Sequence, residues 1–366
     1  MKLTAWVNIG SIIVFILSFT TWSFLVTDYL KINNIYNVDV MGVRVESENN
    51  DRLVQNNQKG GTNNKNNSIL EQALILNDEV EASIRKKIII PKKSAEVGTT
   101  YVRATSAVAV DIESETILHN QNADKKIPIA SLTKLMTALV VLDHIKNLDK
   151  EIVVIDKEVC NTPTSIIGCP SSTYCISDTL KVGEKVWASD LLKAMLVNST
   201  NDAAVALGKH IAGSQKDFAK LMNKKAKEIG LKNTHFCNPS GLDDDNNPNT
   251  CYSSARDVAQ IIVYSMKNDK YKQLWDIFQI KEQWFNSVDG TVKHKYASTN
   301  ILLDSMSNCI GAKTGFTYEA GKTLMMIASH PENKDIKVVS VILNDPYRFN
   351  DVQKLFDWVF ENYTWK

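Results

Sequence analysis

Ser131-Leu132-Thr133-Lys134 sets a hydroxyl and an amine three positions apart, and residues i and i+3 are neighbours on a helix surface. The Lys134 amine then lies over the Ser131 hydroxyl, where it can take a proton. Two effects lower a lysine's pKa in that position: the positive end of the helix dipole, and burial, which disfavours the charged form. The chemistry such a pair supports is nucleophilic attack by an activated serine. The spacing alone is weak, because average composition gives roughly one chance match in a chain this long, and Ser83-Ile84-Arg85-Lys86 is such a match. Only Ser131 opens a strongly apolar helical pattern, with Leu132, Leu135, Met136, Leu139, Val140 and Leu142 on one stripe. Taken by itself, Ser131 also reads as an ordinary N-cap.

Two further strings could serve the same chemistry. Ser199-Thr200-Asn201 falls at a break between two helical patterns, where side chains can point into a cleft. The spacing is common, since Ser298-Thr299-Asn300 and Ser47-Glu48-Asn49 share it, and a capping turn starting the next helix at Asn201 or Asp202 is the alternative. Lys313-Thr314-Gly315 is rarer, expected by chance in roughly one chain in ten or twenty. Gly315 allows close backbone approach at a strand edge, Thr314 offers a hydroxyl, and Lys313 offers a fixed positive charge for a substrate carboxylate. Its alternative is a polar turn at an exposed strand end.

The elements that must position these residues follow from periodicity. Ala107–Val110, an acidic turn at 111–115, and Ile117-Leu118 read as an antiparallel hairpin. Helices are expected from Ser131, from Ser189, over Ala203–Ile211, over Lys216–Ile229 with Gly230 as a stop, and after a capping Ser254 with Asp257. Cys309–Thr317, Thr323–Ser329 and Ile336–Leu343 read as strands, and Asn350–Tyr363 as a last helix. Strands at both ends with helices between them imply an α+β fold, the terminal strands sharing one antiparallel sheet flanked by helices, with a helical subdomain.

Outside this region the chain changes character. No charged residue occurs from Leu3 to Thr27, long enough for a membrane-spanning helix, and Trp22, Phe24 and Leu25 stand where a cleaved signal would end in small residues. Residues 1–27 are therefore expected to be a transmembrane anchor, 28–97 an Asn-rich, mostly disordered tether with a helix over Leu70–Lys87 and a short strand at Ile88–Ile90, and 98–366 the catalytic domain. With 42 basic and 41 acidic residues, nothing global suggests nucleic acid as a partner. The six cysteines (Cys160, Cys169, Cys175, Cys237, Cys251, Cys309) suit an exported domain, with buried free thiols as the alternative, and their pairing stays open. No metal-ligand spacing is present, and no cofactor is expected.

In this order and these settings, the three motifs resemble the penicillin-binding proteins and serine β-lactamases, most of all the low-molecular-mass D-alanyl-D-alanine carboxypeptidases. Longer strings carry the same resemblance: Ile129 to Ala138, Asn201 to Leu207, Asn233 to Phe236, Asn238-Pro239-Ser240-Gly241-Leu242-Asp243, Thr299 to Leu303, and Lys313 to Thr317 with Ala320-Gly321.

The resemblance implies a β-lactamase/transpeptidase-like fold and a serine D,D-carboxypeptidase acting on peptidoglycan stem peptides and inhibited by β-lactams. It implies that Ser131 attacks, Lys134 takes the proton, Ser199 relays a proton to the leaving amine, and Asn201 binds the substrate amide and holds Lys134. Lys313 and Thr314 would grip the terminal carboxylate with help from Arg348, and the backbone N–H groups of Ser131 and Phe316, after Gly315, would form the oxyanion hole. The family's appended all-β domain and C-terminal anchor are not expected here, the N-terminal span replacing that anchor on the outer face of the cell membrane. The alternatives are a D,D-endopeptidase of the same fold and a β-lactam or peptidoglycan sensor without peptidase activity. A class A β-lactamase should carry E-x-x-L-N, for which Glu228 to Asn233 is a near miss better explained by Gly230 as a helix stop.

Overall fold

The computed structural model describes residues 88–94, 98, 100–169, 174–243 and 250–366, together with the backbone of four short strands before residue 47. The chain divides into two compact units, Met1–Lys87 and Ile88–Lys366.

In the first unit Leu3–Val7 pairs antiparallel with Ile12–Ile16, and Asn37–Val38 with Val45–Glu46. The described part of the 3–27 stretch is thus extended, where a membrane-spanning helix was expected. Ile12, Ile13, Val14 and Ile16 are β-branched and favour a pleated strand, whereas a helix is imposed on such a run by the bilayer, which leaves no other partner for its backbone. The rest of that stretch, and the expected helix over Leu70–Lys87, lie outside the described residues. No helix among the described residues is long and apolar enough to cross a membrane.

The second unit begins before the expected boundary at 98. Lys92–Lys93 pairs with Tyr363–Thr364, and the Ser94 amide donates to Asn362 O at 2.9 Å. The short strand therefore lies at Lys92–Lys93, and not at Ile88–Ile90, which is exposed and irregular.

The main sheet has five antiparallel strands: β1 (Ser106–Asp111), β2 (Ile117–Gln121), β3 (Cys309–Thr317), β4 (Gly321–Ser329) and β5 (Lys337–Leu343), in the order β3-β4-β5-β1-β2. Residues from the two ends of the unit thus share one sheet, as the alternating apolar patterns require, and β3 is left at an edge. Among the described residues the longer helices are, in chain order, α1 (Thr133–His144), α2 (Ala188–Val197), α3 (Asn201–Ala212), α4 (Gln215–Ile229), α5 (Ala255–Met266) and α6 (Arg348–Asn362).

Alternation along the strands splits the core between the two faces of the sheet. Val108, Val110, Met325, Ile327, Val339 and Val341 join a cluster with α1 to α5, while Ala107, Ala109, Leu324, Met326, Val338 and Ile342 pack with Val352, Leu355, Phe356 and Val359 of α6. Two short pairs, Ile152–Val154 with Lys185–Trp187 and Glu282–Asn286 with Lys293–Ala297, were not expected. Each strand in them has at most five residues, too few for period-two patterning to stand out.

Helix ends follow local side-chain chemistry. The Ser254 hydroxyl accepts from the Asp257 amide at 3.2 Å to start α5, and Ser214 does the same for the Asp217 amide at 3.0 Å in α4. Gly230, at φ +84°, ends α4. Four cysteines form two disulfides, Cys169–Cys175 and Cys237–Cys251, and Cys160 and Cys309 are free thiols.

Candidate active site

Ser131 sits in a single 3-10 turn, Ala130–Leu132, that leads into α1. It is therefore not the helix N-cap: Leu132 holds that position and makes no side-chain cap. The turn is set by Ala130, whose φ of +49° lies in the left-handed region that side chains rarely adopt. Ser199, in the break between α2 and α3, has φ +64°. Such conformations cost about 1–3 kcal/mol each and persist only where the surroundings over-determine them.

Lys134, one turn further along, is fully buried. Its Nζ donates to Ser131 Oγ at 2.8 Å, Asn201 Oδ1 at 2.7 Å and Ser240 O at 2.6 Å. Burial lowers this amine to about 7, against the opposing charge of Asp202. In its neutral form the amine keeps two N–H donors, enough for Asn201 Oδ1 and Ser240 O, and its lone pair is left to accept from the Ser131 hydroxyl, as a base suited to neutral pH. Asp202, itself buried, accepts from the Ile167 amide at 2.9 Å and its carboxyl is pushed up to about 7 by desolvation.

Asn201 begins α3 and turns its amide so that the oxygen faces Lys134 while Nδ2 donates to Thr164 O at 2.9 Å. Its backbone N–H donates to Ser165 O at 2.7 Å. The N-cap of α3, Thr200, makes no side-chain cap, so the break serves the cluster and is not a capping turn. Ser199 accepts from Lys313 Nζ at 2.6 Å, and Lys313 also donates to Thr314 O at 2.9 Å. Lys313 is fully buried; desolvation first, then the charges of Lys134 and Arg348, hold it well below the usual lysine range.

Gly315 has a steric role. A Cβ there would lie 2.5 Å from Thr323 Oγ1, 3.1 Å from Ser131 N and 3.2 Å from the Ala130 Cβ. Glycine therefore lets β3 lie against the nucleophile's turn, bringing the Ser131 N–H beside the strand that carries Phe316. Phe316 leaves 55% of its surface exposed. The fold thus gathers Ser131, Lys134, Ser199, Asn201 and Lys313, residues as far as 182 positions apart (313 − 131), around the end of an edge strand.

Two expected residues have contacts the sequence did not indicate. The Thr314 hydroxyl pairs with the Thr299 hydroxyl at 2.7 Å. Arg348, the first residue of α6, donates through Nη1 to Gly315 O at 2.6 Å and Thr323 O at 3.1 Å. It braces the backbone of β3 and β4, and burial lowers its guanidinium to about 10.

Sequence reasoning assigned no role to the turn 238–243, which is central to the site. Asn238 Oδ1 accepts from the Ser240 and Gly241 amides at 3.1 and 2.7 Å, Asn238 Nδ2 donates to Leu242 O at 2.8 Å, and Thr137 Oγ1 donates to Pro239 O at 2.7 Å. This rigid turn presents Ser240 O to Lys134. The Asn-Pro-Ser-Gly run signals a turn, but nothing local says which side chain its carbonyl will meet.

Over residues 92–347 the chain matches the family described as D-alanyl-D-alanine carboxypeptidase. The D-alanyl-D-alanine carboxypeptidase DacF of Bacillus subtilis is 32% identical over 260 residues, covering 71% of this chain and 63% of that protein. A D-alanyl-D-alanine endopeptidase of Pseudomonas aeruginosa is 30% identical over 262 residues, covering 69% of this chain and 76% of that protein. Penicillin-binding protein D2 of Listeria monocytogenes, solved with cefotaxime bound, matches with a TM-score of 0.59 and 30% identity over 72% of this chain and 100% of that one. This chain spans 62–64% of the length of the curated carboxypeptidases it matches.

Proposed function

Because the chain belongs to the D-alanyl-D-alanine carboxypeptidase family, we propose that it removes the terminal D-alanine from peptidoglycan stem pentapeptides through a Ser131 acyl-enzyme. The observation that carries this reading is the Lys134 amine, 2.8 Å from Ser131 Oγ and lowered by burial to about 7. Ser131 Oγ attacks the carbonyl of the penultimate D-alanine and its proton passes to Lys134 Nζ. The N–H groups of Ser131 and Phe316 receive the developing oxyanion. The carbon–nitrogen bond then breaks as Ser199 gives its proton to the departing amine and is resupplied with the proton held on Lys134, which returns the lysine to its neutral form. Lys134 next takes a proton from the water that attacks the acyl carbonyl and hands it to Ser131 Oγ as the shortened stem leaves.

Lys313 supplies the charge that selects a free carboxylate. Burial and neighbouring cations disfavour its protonated form; an entering carboxylate restores that proton by adding an opposite charge. A charged Lys313 in turn disfavours a second charge on Lys134, which keeps the base neutral when substrate is bound. Thr314 offers its hydroxyl beside that charge, and Arg348 braces the backbone of the strand that carries both.

D-Alanine release from a stem pentapeptide, with and without penicillin pretreatment, tests the reading. Release that penicillin abolishes is expected, with the β-lactam covalently bound at Ser131. Labelling of Ser131 without release from the pentapeptide, but with cleavage of a cross-linked dimer, would replace it by the D,D-endopeptidase reading that the Pseudomonas relative favours. Labelling with no cleavage of either would leave a sensor.

The same proposal holds the catalytic unit outside the cytoplasmic membrane, attached through residues 3–27. Support comes from the absence of charge in that stretch and from the two disulfides, which persist in oxidising compartments. Deleting residues 1–27 is expected to move the protein from the alkali-resistant membrane fraction to the soluble one. If full-length protein is already soluble, the attachment is wrong.

A further inference from the structure

The direction in which a stem peptide must lie along β3 marks a subsite beyond the reacting bond. β3 is one of the two edge strands of the sheet and has no second strand paired with it among the described residues, and an extended peptide can add to such an edge. Ser131 abuts Gly315, and the terminal carboxylate belongs at Lys313 and Thr314. The part of the peptide that becomes the acyl group therefore runs the other way, past Phe316 and Thr317. At about 3.3 Å per residue, the residue preceding the two D-alanines falls beside Thr317.

The surroundings of Thr317 differ on the two faces of the strand. On one face stand Phe316, half-exposed and edge-on to Tyr318 at 5.8 Å, and Lys322, exposed and directly across the ladder from Phe316. On the other face Thr317 is opposite Gly321, which has no side chain to fill the space. Into that face comes Asp243: its Oδ1 accepts from Thr317 Oγ1 at 3.1 Å. Asp243 is partly exposed, and among the described residues Thr317 is its only side-chain partner. It is held there by the Asn238-braced turn, whose Gly241 is pressed against Ala130.

Resting on the carboxypeptidase reading, we propose that Asp243 is a specificity residue that receives a primary ammonium on the side chain of the stem residue preceding the two D-alanines. The cation is directed to Asp243 because Lys322 repels it from the opposite face. An amine already converted to an amide by cross-linking has lost its charge, so the subsite favours stems whose side-chain amine is still free.

The test uses the full chain and two pentapeptides, one with a free side-chain amine at that residue and one with the amine acetylated. What is measured is the peptide concentration that halves labelling of Ser131 by a fluorescent penicillin. The free-amine peptide is expected to protect at roughly five-fold lower concentration, with the ratio shrinking as salt is added. Asp243→Asn, which retains an oxygen for Thr317, is expected to bring the ratio to about one, and Asp243→Lys to invert it; the penicillin labelling itself reports that each variant is folded. An unchanged ratio in Asp243→Asn, or no preference in the wild type, overturns the subsite. Failure of D-alanine release with the charge preference intact would remove the carboxypeptidase reading and leave the subsite standing, whereas absence of penicillin labelling in the wild type removes both.

Discussion

Lys134→Ala is expected to slow acylation of Ser131 by penicillin by roughly 10³-fold or more, because nucleophile and base act as one unit and losing either removes most of what both contribute. The protein already implies the pH profile of the wild type. Burial places the amine at about 7, and only its neutral form accepts the Ser131 proton. Acylation is therefore expected to rise about ten-fold per unit as pH increases below 7 and to level off above it. The sign matters: a lysine at its ordinary value would give a rate still climbing past pH 9. Stopped-flow or gel-based labelling across pH 5 to 9 measures it. The alanine variant should lose the inflection along with the rate, and small primary amines entering the vacated space should restore part of both. A wild-type rate independent of pH between 5 and 9 would remove Lys134 from the role of base.

Gly241→Ala is the second large effect, and it acts through shape alone. Gly241 has φ +79°, and a Cβ there would stand 2.0 Å from Ala130 O, 2.6 Å from Ala130 C and 2.7 Å from Thr133 Oγ1. The first two are backbone atoms of the residue that sets the nucleophile's turn, so the contact cannot be relieved by rotating a side chain. The turn 238–243 must move, carrying Ser240 O away from Lys134, or Ala130 must move, carrying Ser131. Overpacking of this kind costs about 1–3 kcal/mol, to which the unfavourable φ adds about 1 kcal/mol. A loss of about 10²-fold in acylation is expected, with a lower Tm. Gly230→Ala serves as the control: Gly230 has φ +84° but nothing within 4 Å of an added Cβ. It should show the backbone cost in Tm without the loss of acylation. Equal effects of the two substitutions would mean that the contact with Ala130 does not position the site.

Much of the second unit was legible from periodicity and punctuation. β3 begins and ends at Cys309 and Thr317 as expected, Gly230 stops α4, and Ser254 caps α5. These features depend on neighbours within a few residues, which is the range over which strand alternation, caps and glycine stops operate. The differences have the same cause in reverse. Asn201 begins α3, two residues before the expected Ala203, because its amide is paid for by Thr164 and Lys134, residues distant in sequence. Ser131 is not an N-cap because Ala130 is forced into a left-handed turn by what surrounds it.

By itself, then, the amino-acid sequence determined the residue types of the site, their order, the α+β class and the elements that carry them, since hydrophobic period and local hydrogen bonding are written residue by residue. Tertiary structure alone decided which groups meet. It buries Lys134 and so lowers its amine, turns Lys313 onto Ser199, braces Gly315 O with Arg348, and presents Ser240 O to Lys134 and Asp243 to Thr317 from one rigid turn beside the nucleophile. Proton affinity and contact between distant residues depend on solvent exclusion and on approach in space, and neither exists until the sheet has closed around residues drawn from both ends of the unit.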